Sequence, residues 1–159
     1  MAILNISGRT ALAQAVMAQT VHLALGSGLP DWDADRPDPA PAATALTTEI
    51  GRLWIQDKTF CVPDPAGTIA TSTGRYTPTG APSRHLCLRG RFGFAATAAS
   101  IREIGVFIGS APVGGLPPGQ YWLLPEQVAA PGTLFATEHL PAVPWMPNLQ
   151  FEHDFILNF

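Results

Sequence analysis

Histidines and acidic residues are the side chains of this sequence that could perform acid–base or metal chemistry. They form two local clusters, Glu138-His139 and Glu152-His153-Asp154. Neither cluster has the HExxH spacing of a zinc site, and both lie in segments whose alternation predicts β-strands. Adjacent residues of a strand point to opposite faces, so neither cluster is a compact ligand set. We therefore expect no catalytic residue, no metal site and no enzymatic activity. A hydrolase whose site is assembled from both clusters is kept as an alternative.

Motifs of other enzyme classes are missing as well. The sequence has no GxSxG nucleophile elbow, no GxxxxGK[ST] phosphate loop and no GxGxxG dinucleotide motif after a strand. The local sequence motifs therefore give no support to an enzymatic function and favour a binding or structural role.

Three aspartates in a proline-rich segment have the spacing of a calcium-binding loop. Asp31, Asp33 and Asp35 match its first three ligand positions. Arg36 replaces the glycine of the sharp turn, and Ala42 stands where the bidentate acid belongs. We interpret the segment as a solvated, semi-rigid loop, and the sequence leaves open whether it binds a cation.

A charged pair interrupts the apolar segment "SIREIGVFIG", although only 13% of the chain is charged. Arg102 and Glu103 are consecutive, so in a strand they face opposite sides and cannot pair with each other. A buried charge without a partner costs about 3–5 kcal/mol, so each needs its own partner within the sheet or in another subunit. The candidate partners are Glu49, Arg52, Arg89 and Arg91.

Composition and charge exclude further classes of function. A net charge of −3 gives no electrostatic footprint for nucleic acid or an anionic membrane. No apolar stretch reaches the ~20 residues that span a bilayer. Cys61 and Cys87 lie in apolar contexts and are predicted to be buried free thiols, although the sequence leaves open whether they pair. We expect a soluble protein that folds in a cytoplasm.

The elements that position these residues are predicted to be mostly strands. With 15 Gly and 16 Pro, the chain favours short strands and long loops, so the predicted class is α+β, mostly β, with an antiparallel sheet or sandwich. Residues 9–19 are predicted to be a helix with Leu12, Ala15, Val16 and Gln19 on one face. The next predicted strand begins at Val21 and leaves His22 at a surface or edge.

The rest of the chain completes one predicted domain, residues 1–159. Gly/Pro-rich loops are expected at about 29–43, 63–84 and 110–132, the second as a loop or a loose hairpin. The closely spaced strands at 85–94 and 100–109 are predicted to be antiparallel neighbours. The loops are expected to carry Trp32, Trp122 and Trp145, which could form interfaces or platforms for sugars.

The segment around the charged pair carries a resemblance to a known family. "IREIGVF" at 101–107 resembles the "REIGLF/Y" motif of the phage tail-collar or tail-fibre N-terminal family. Three further elements of that family occur in its order: "HLALGSG" at 22–28, an Asp/Pro loop at 31–41 and "LTTEIGR" at 46–52. The resemblance implies a structural protein without cofactor or catalytic residues. It marks an assembly motif of Glu49, Arg52, Arg102, Glu103 and Gly105.

The function that this resemblance implies is a baseplate/tail-fibre adaptor or collar protein that attaches fibres or spikes to a tail. It implies other tail and baseplate proteins as partners, a homo-oligomer within a symmetric assembly, and a place in the virion after assembly in the bacterial host cytoplasm. Family members are often the N-terminal part of a longer fibre, and this chain has 159 residues. A small glycan-binding β module is the second alternative, and the hydrolase is the third.

Overall fold

A computed structural model describes residues 1–159. The chain forms two compact units that alternate along the sequence. The first unit holds residues 1–19, 56–90 and 152–159, and the second holds residues 20–55 and 91–151. The single domain predicted for the whole chain stays a prediction.

The predicted class, one N-terminal helix followed by antiparallel sheets, is confirmed. The helix is α1 (Ile6–Met17). The strands are β1 (Val21–Gly26), β2 (Glu49–Trp54), β3 (Asp57–Pro63), β4 (Ile69–Thr71), β5 (Gly74–Thr79), β6 (His85–Phe92), β7 (Ala99–Ile108), β8 (Ala111–Pro112), β9 (Trp122–Leu123), β10 (Val128–Ala130), β11 (Thr133–Trp145) and β12 (Phe151–Asn158). Short 3₁₀ turns occupy Pro30–Asp33 and Pro125–Gln127.

The helix differs from its prediction in position and in the face that it buries. It begins and ends earlier than residues 9–19 and buries Ala13 and Val16, whereas Leu12 is 47% exposed. Of the four residues that share the predicted face, only Val16 is buried. Apolar residues occur around much of this helix, so its faces differ little in hydrophobicity and the periodicity does not select one.

The second unit is built on a five-stranded antiparallel sheet of order β11-β7-β1-β2-β9. A two-stranded sheet of β10 and β8 lies in the same unit. Every residue of the central strand β1 is buried. His22 is therefore only 2% exposed, and its predicted surface position is wrong. Alternation reveals one buried face, but a central strand covered on both faces buries its polar residues too.

The first unit is built on the sheet of order β12-β6-β3-β5-β4. The Gly/Pro-rich stretch 63–84 was predicted to be either a loop or a loose hairpin. It contains the antiparallel hairpin β4-β5, so the second of these predictions holds. Cys61 and Cys87 are buried free thiols in a core cluster with Ile69 and Tyr76. Burial raises the pKa of the Cys61 thiol to about 11 and that of Cys87 to about 12, so both stay protonated at neutral pH.

The predicted pairing of the strands at 85–94 and 100–109 is wrong. β6 pairs with β3 and is a neighbour of β12, whereas β7 pairs with β1 and β11. The connection between β6 and β7 is a stretch of six residues, 93–98. A hairpin needs a tight turn of about two to five residues, and this longer connection leads from one sheet into the other.

Candidate functional site

Arg102 lies on β7 and fixes the acidic proline-rich loop. Its Nε and Nη2 donate to Oδ1 and Oδ2 of Asp33, both at 2.7 Å, and its Nη1 donates to the Ser27 carbonyl oxygen at 3.1 Å. The guanidinium holds the pKa of Asp33 below its usual range. The planar fork of arginine matches a carboxylate in this bidentate geometry, so the contact sets the position of the 3₁₀ turn that carries Asp33.

Glu103 points to the opposite face and holds a second chain segment. Its carboxylate accepts hydrogen bonds from the backbone N–H groups of Thr48, at 2.9 Å, and Thr47, at 3.1 Å. Glu103 is only 1% exposed. A buried carboxylate without an arginine partner is stabilised here by two charge-assisted hydrogen bonds. It thereby fixes the chain immediately before β2.

Arg52 on β2 joins three parts of the second unit. Its Nε and Nη2 donate to the carboxylate of Glu49 at 2.6 and 3.0 Å. Its Nη1 donates to Ser110 Oγ at 2.8 Å and to the Pro131 carbonyl oxygen at 2.5 Å. The guanidinium carbon lies 3.7 Å from the ring centroid of Phe107, within the range of a cation–π contact. Arg52 is 5% exposed, so nearly all of its donors are used inside the protein.

Gly105 provides the space in which these contacts meet. A Cβ atom on Gly105 would lie 2.9 Å from Leu46 Cδ2 and 3.0 Å from Leu134 Cδ1. Leu46 packs in a buried cluster with Ala24 and Phe107, and it directly precedes the two amides that Glu103 binds. The missing side chain of Gly105 therefore lets the segment before β2 lie against the sheet.

The spacing E-x-G-x-F in β7 places three residues of the motif on the same face of the sheet. Glu103, Gly105 and Phe107 alternate along β7 and share one face. Along that face they bind two backbone amides, leave room for a leucine and support the Arg52 guanidinium. We refer to Arg52, Arg102 and Glu103 as the loop clamp, since each binds a segment outside its own strand.

The expected separation of Arg102 and Glu103 is confirmed, but their expected partners are wrong. Glu49 and Arg52 bind each other. Arg89, the other expected partner, binds Asp154 within the first unit at 2.7 Å. The true partners are a loop aspartate and two backbone N–H groups.

Two of the three tryptophans expected in loops lie in strands. Trp122 is in β9 and Trp145 in β11, with ring centroids 5.3 Å apart, and both contact Phe92 edge-on. Trp145 is 6% exposed and donates from Nε1 to the Gly93 carbonyl oxygen at 2.7 Å. Trp32 is half-buried in its 3₁₀ turn. The interface role of these residues stays a prediction, although Trp145 presents little surface to a partner.

The residues considered for chemistry have structural contacts in this fold. The His139 ring stacks on Trp32 with centroids 4.2 Å apart, and its Nδ1 lies 2.7 Å from the Pro37 carbonyl oxygen. Asp33 of the calcium-like triplet binds Arg102, and no group of three or more His, Cys, Asp or Glu residues has the arrangement of a metal site.

No helix is both long and apolar enough to cross a bilayer.

Comparison with known proteins extends the resemblance carried by the motif. The family model described as baseplate wedge 3 tail fiber network component matches residues 1–159. The chain belongs to this family. It is a phage baseplate wedge component of the tail fibre network, and its place is the tail of the virion. No curated protein matches the sequence.

Membership in the baseplate wedge family confirms the predicted relationship to phage tail and fibre proteins. In this family member the charged side chains of the loop clamp order long loops. The sequence pattern identified the clamp residues, but the aromatic residues with much exposed surface were missed. Trp54 and Tyr121 are 43% and 45% exposed. Their proximity across β2 and β9 depends on strand pairing, which no local pattern reveals.

Proposed function

We propose that this baseplate wedge component is an adaptor that attaches a tail fibre or spike to the baseplate. In this proposal it acts without catalysis, as a homo-oligomer within a symmetric assembly that forms in the host cytoplasm. The observation that carries the proposal is the loop clamp: all three of its charged side chains bind segments that connect strands, and none of them faces another to form a catalytic pair.

Fixed loops suit a protein that must dock several partners. An ordered loop loses little conformational entropy on binding, so more of the contact energy contributes to affinity. The loop between β1 and β2 is exposed along most of residues 33–45 and is held at one end by Asp33 and at the other by the amides that Glu103 binds. This loop is the surface that we assign to a neighbouring tail protein.

The N-terminal part of the first unit supports the oligomeric part of the proposal. It exposes the large apolar side chains of Met1, Ile3, Leu4, Ile6 and Leu12. Several large exposed apolar side chains within one short segment are typical of protein–protein contacts. We therefore assign this segment to contacts within the assembly.

Complementation of a phage that lacks this gene tests the adaptor function. Tails purified after expression of the wild-type chain should contain this chain and a full set of fibres, as quantified by mass spectrometry. The variant Arg102→Ala should fold, because Asp33 is half-exposed, yet it should enter tails in reduced amount and reduce fibre content with it. The variant Arg75→Ala is the matched control, since the Arg75 side chain donates to the Gly67 carbonyl oxygen at 2.9 Å, in the short segment just before β4.

The adaptor proposal is wrong if tails that lack this chain carry a full set of fibres. Light scattering of the purified chain tests the oligomer separately. A monomer at every accessible concentration, together with a single copy per wedge in the tail, contradicts the homo-oligomer.

A further inference from the structure

A groove of about 300 Å³ lies in the second unit between β11 and the proline-rich loop that joins β1 to β2. Pro39, Ala40, Pro41 and Ala43 form its loop wall, and residues 134–137 of β11 form the opposite wall. No charged side chain lines it. A cavity of about 150 Å³ already accommodates a benzene-sized group, so the volume suffices for about two aliphatic side chains. We refer to this feature as the loop groove.

The loop wall of the groove is held in place before any partner binds. The Ala43 backbone N–H donates to the Ala40 carbonyl oxygen at 3.0 Å, which closes a turn within the wall itself. Just before the wall, the Pro37 carbonyl oxygen lies 2.7 Å from Nδ1 of His139 on β11. A carbonyl oxygen only accepts, so this imidazole nitrogen donates and ties the loop to the strand. A partner that enters the loop groove therefore does not have to order it.

Negative charge surrounds the loop groove. Residues 31–43 contain four aspartates and one arginine, which gives the segment a net charge of −3. Arg102 neutralises Asp33. The other three aspartates are exposed, namely Asp31, Asp35 and Asp38. The groove therefore fits an apolar segment that carries positive charge and no acidic residue.

The chain itself contains such a segment, at the start of α1. Residues 1–20 have no acidic side chain, and their single charged side chain is that of Arg9. Ile3 and Ile6 are 81% and 69% exposed, and Asn5 between them has the extended backbone angles φ −69° and ψ 163°. Ile6 and Arg9 are three residues apart in the helix and share one face. Two exposed isoleucines therefore lie beside one cation.

We propose that the loop groove of one copy binds residues 3–9 of a second copy. Ile3 and Ile6 enter the groove, and Arg9 lies against the exposed aspartates. This inference rests on the homo-oligomer of the proposed function and names the two surfaces that form it. In the loop groove, the neighbouring tail protein of that proposal is a second copy of the chain.

Charge selects this contact over one between two identical surfaces. Two loop grooves brought together would place aspartates against aspartates, and like charges across an interface are unfavourable. Segment and groove are different surfaces, so the contact is heterologous and each copy offers one of each. Successive copies of such a contact form a ring when the rotation between them closes.

Two variants of the full chain, each defective in one surface, test the inference by sedimentation velocity. The variant Ile3→Asp/Ile6→Asp brings acid to the segment, and Ala40→Arg obstructs the groove and repels Arg9. All three residues are exposed, so both variants should fold, as circular dichroism checks. Each variant alone should associate about tenfold or more weakly than wild type. Leu149→Asp is the control, since this residue is 46% exposed and belongs to neither surface, and it should associate like wild type.

The decisive measurement is the mixture of the two variants. The first retains an intact loop groove and the second an intact segment, so together they should form a 1:1 complex that grows no further. A mixture that stays monomeric while wild type associates would overturn the inference, because the segment then contacts another surface. Association of either variant alone as tight as that of wild type would overturn it as well.

These outcomes are separate from those that test the proposed function. A wild-type chain that is monomeric at every accessible concentration overturns this inference, whereas the homo-oligomer in the tail is judged by the copy number per wedge. The adaptor function is judged by the fibre content of tails that lack the chain.

Discussion

Arg102 and Asp33 lie 69 residues apart in the sequence and form a bidentate ion pair, with both N···O distances at 2.7 Å. Asp33 is the last residue of a 3₁₀ turn. The backbone N–H groups of the two residues that follow it, Ala34 and Asp35, donate to the Asp31 carbonyl oxygen. The charged residue that interrupts an apolar strand is therefore the anchor of a distant loop.

Replacement of Asp33 by asparagine should loosen the turn that it anchors. The variant removes the charge from the pair, so the amides of Ala34 and Asp35 should exchange hydrogen faster while amides of β1 keep their protection. Hydrogen exchange followed by nuclear magnetic resonance measures this. Asp31→Asn in the same loop is the matched control, and equal acceleration by both variants would contradict the anchor.

Acidification should release the same turn only at low pH. Arg102 lowers the pKa of Asp33 below its unfolded value of about 3.9, so the pair contributes stability above that pH. This contribution is lost as the pH falls through the lower pKa of the folded state. The exchange rates of Ala34 and Asp35, corrected for their intrinsic pH dependence, should stay constant from neutral pH to about pH 4.

Replacement of Glu103 by glutamine should destabilise the fold although the two side chains have the same shape. Glutamine has one oxygen acceptor, so one of the two backbone N–H groups, of Thr47 or Thr48, loses its partner. Burial of an unpaired donor predicts a loss of about 1–3 kcal/mol in the free energy of unfolding. Urea denaturation measures it. The exposed Glu126→Gln is the control and should stay close to wild type; an equal loss in both variants would show that the buried carboxylate is not special.

A methyl group at Gly26 should displace Glu103. A Cβ atom there would overlap with Glu103 Oε1 and lie 2.5 Å from its Cγ, and the carboxylate is already fixed by two backbone amides. We expect Gly26→Ala to cost about 1–3 kcal/mol. Gly80→Ala, where a Cβ meets no atom within 4 Å, is the control. In the background Glu103→Ala the cost of Gly26→Ala should shrink, and a cost that stays the same would place the clash elsewhere.

Replacement of Arg52 by methionine separates its ion pair from its loop contacts. Arg52→Met alone leaves Glu49 as a buried charge without its partner, which predicts a loss of about 3–5 kcal/mol. The double variant Glu49→Leu/Arg52→Met removes both charges and should recover part of it. The remaining loss reflects the hydrogen bonds to Ser110 and Pro131 together with the contact on the Phe107 ring. Exposed Arg36→Met is the control, and a double variant as unstable as the single one would contradict the buried charge as the cause.

The sequence predicted the class of fold and the alternation along β7, and it failed where contacts between distant segments decide which face is buried and which groups pair. Alternation along β7 correctly separated Arg102 from Glu103. Nothing in the pattern could identify their partners, because Asp33 is reached through the fold and backbone N–H groups have no sequence signature. Trp145 was expected in a loop, yet it lies in β11, an edge strand in which prolines do not interrupt the ladder.

The pH dependence of stability should reveal the neutral state of His22. The pKa of His22 falls to about 4 in the folded protein from an ordinary value of 6.5, so the unfolded chain binds one more proton between these values. Stability should therefore rise with pH across this window, by about 2 kcal/mol between pH 5 and pH 7.

The charged neighbour of His22 is Arg52, whose own ion pair with Glu49 is unaffected in this range by the change at His22. His85, whose pKa burial also lowers, adds to the slope in wild type and variant alike. Urea denaturation of His22→Phe should show a slope reduced by about one proton, because phenylalanine cannot titrate. An unchanged slope would mean that His22 titrates in the folded protein as it does in the unfolded chain.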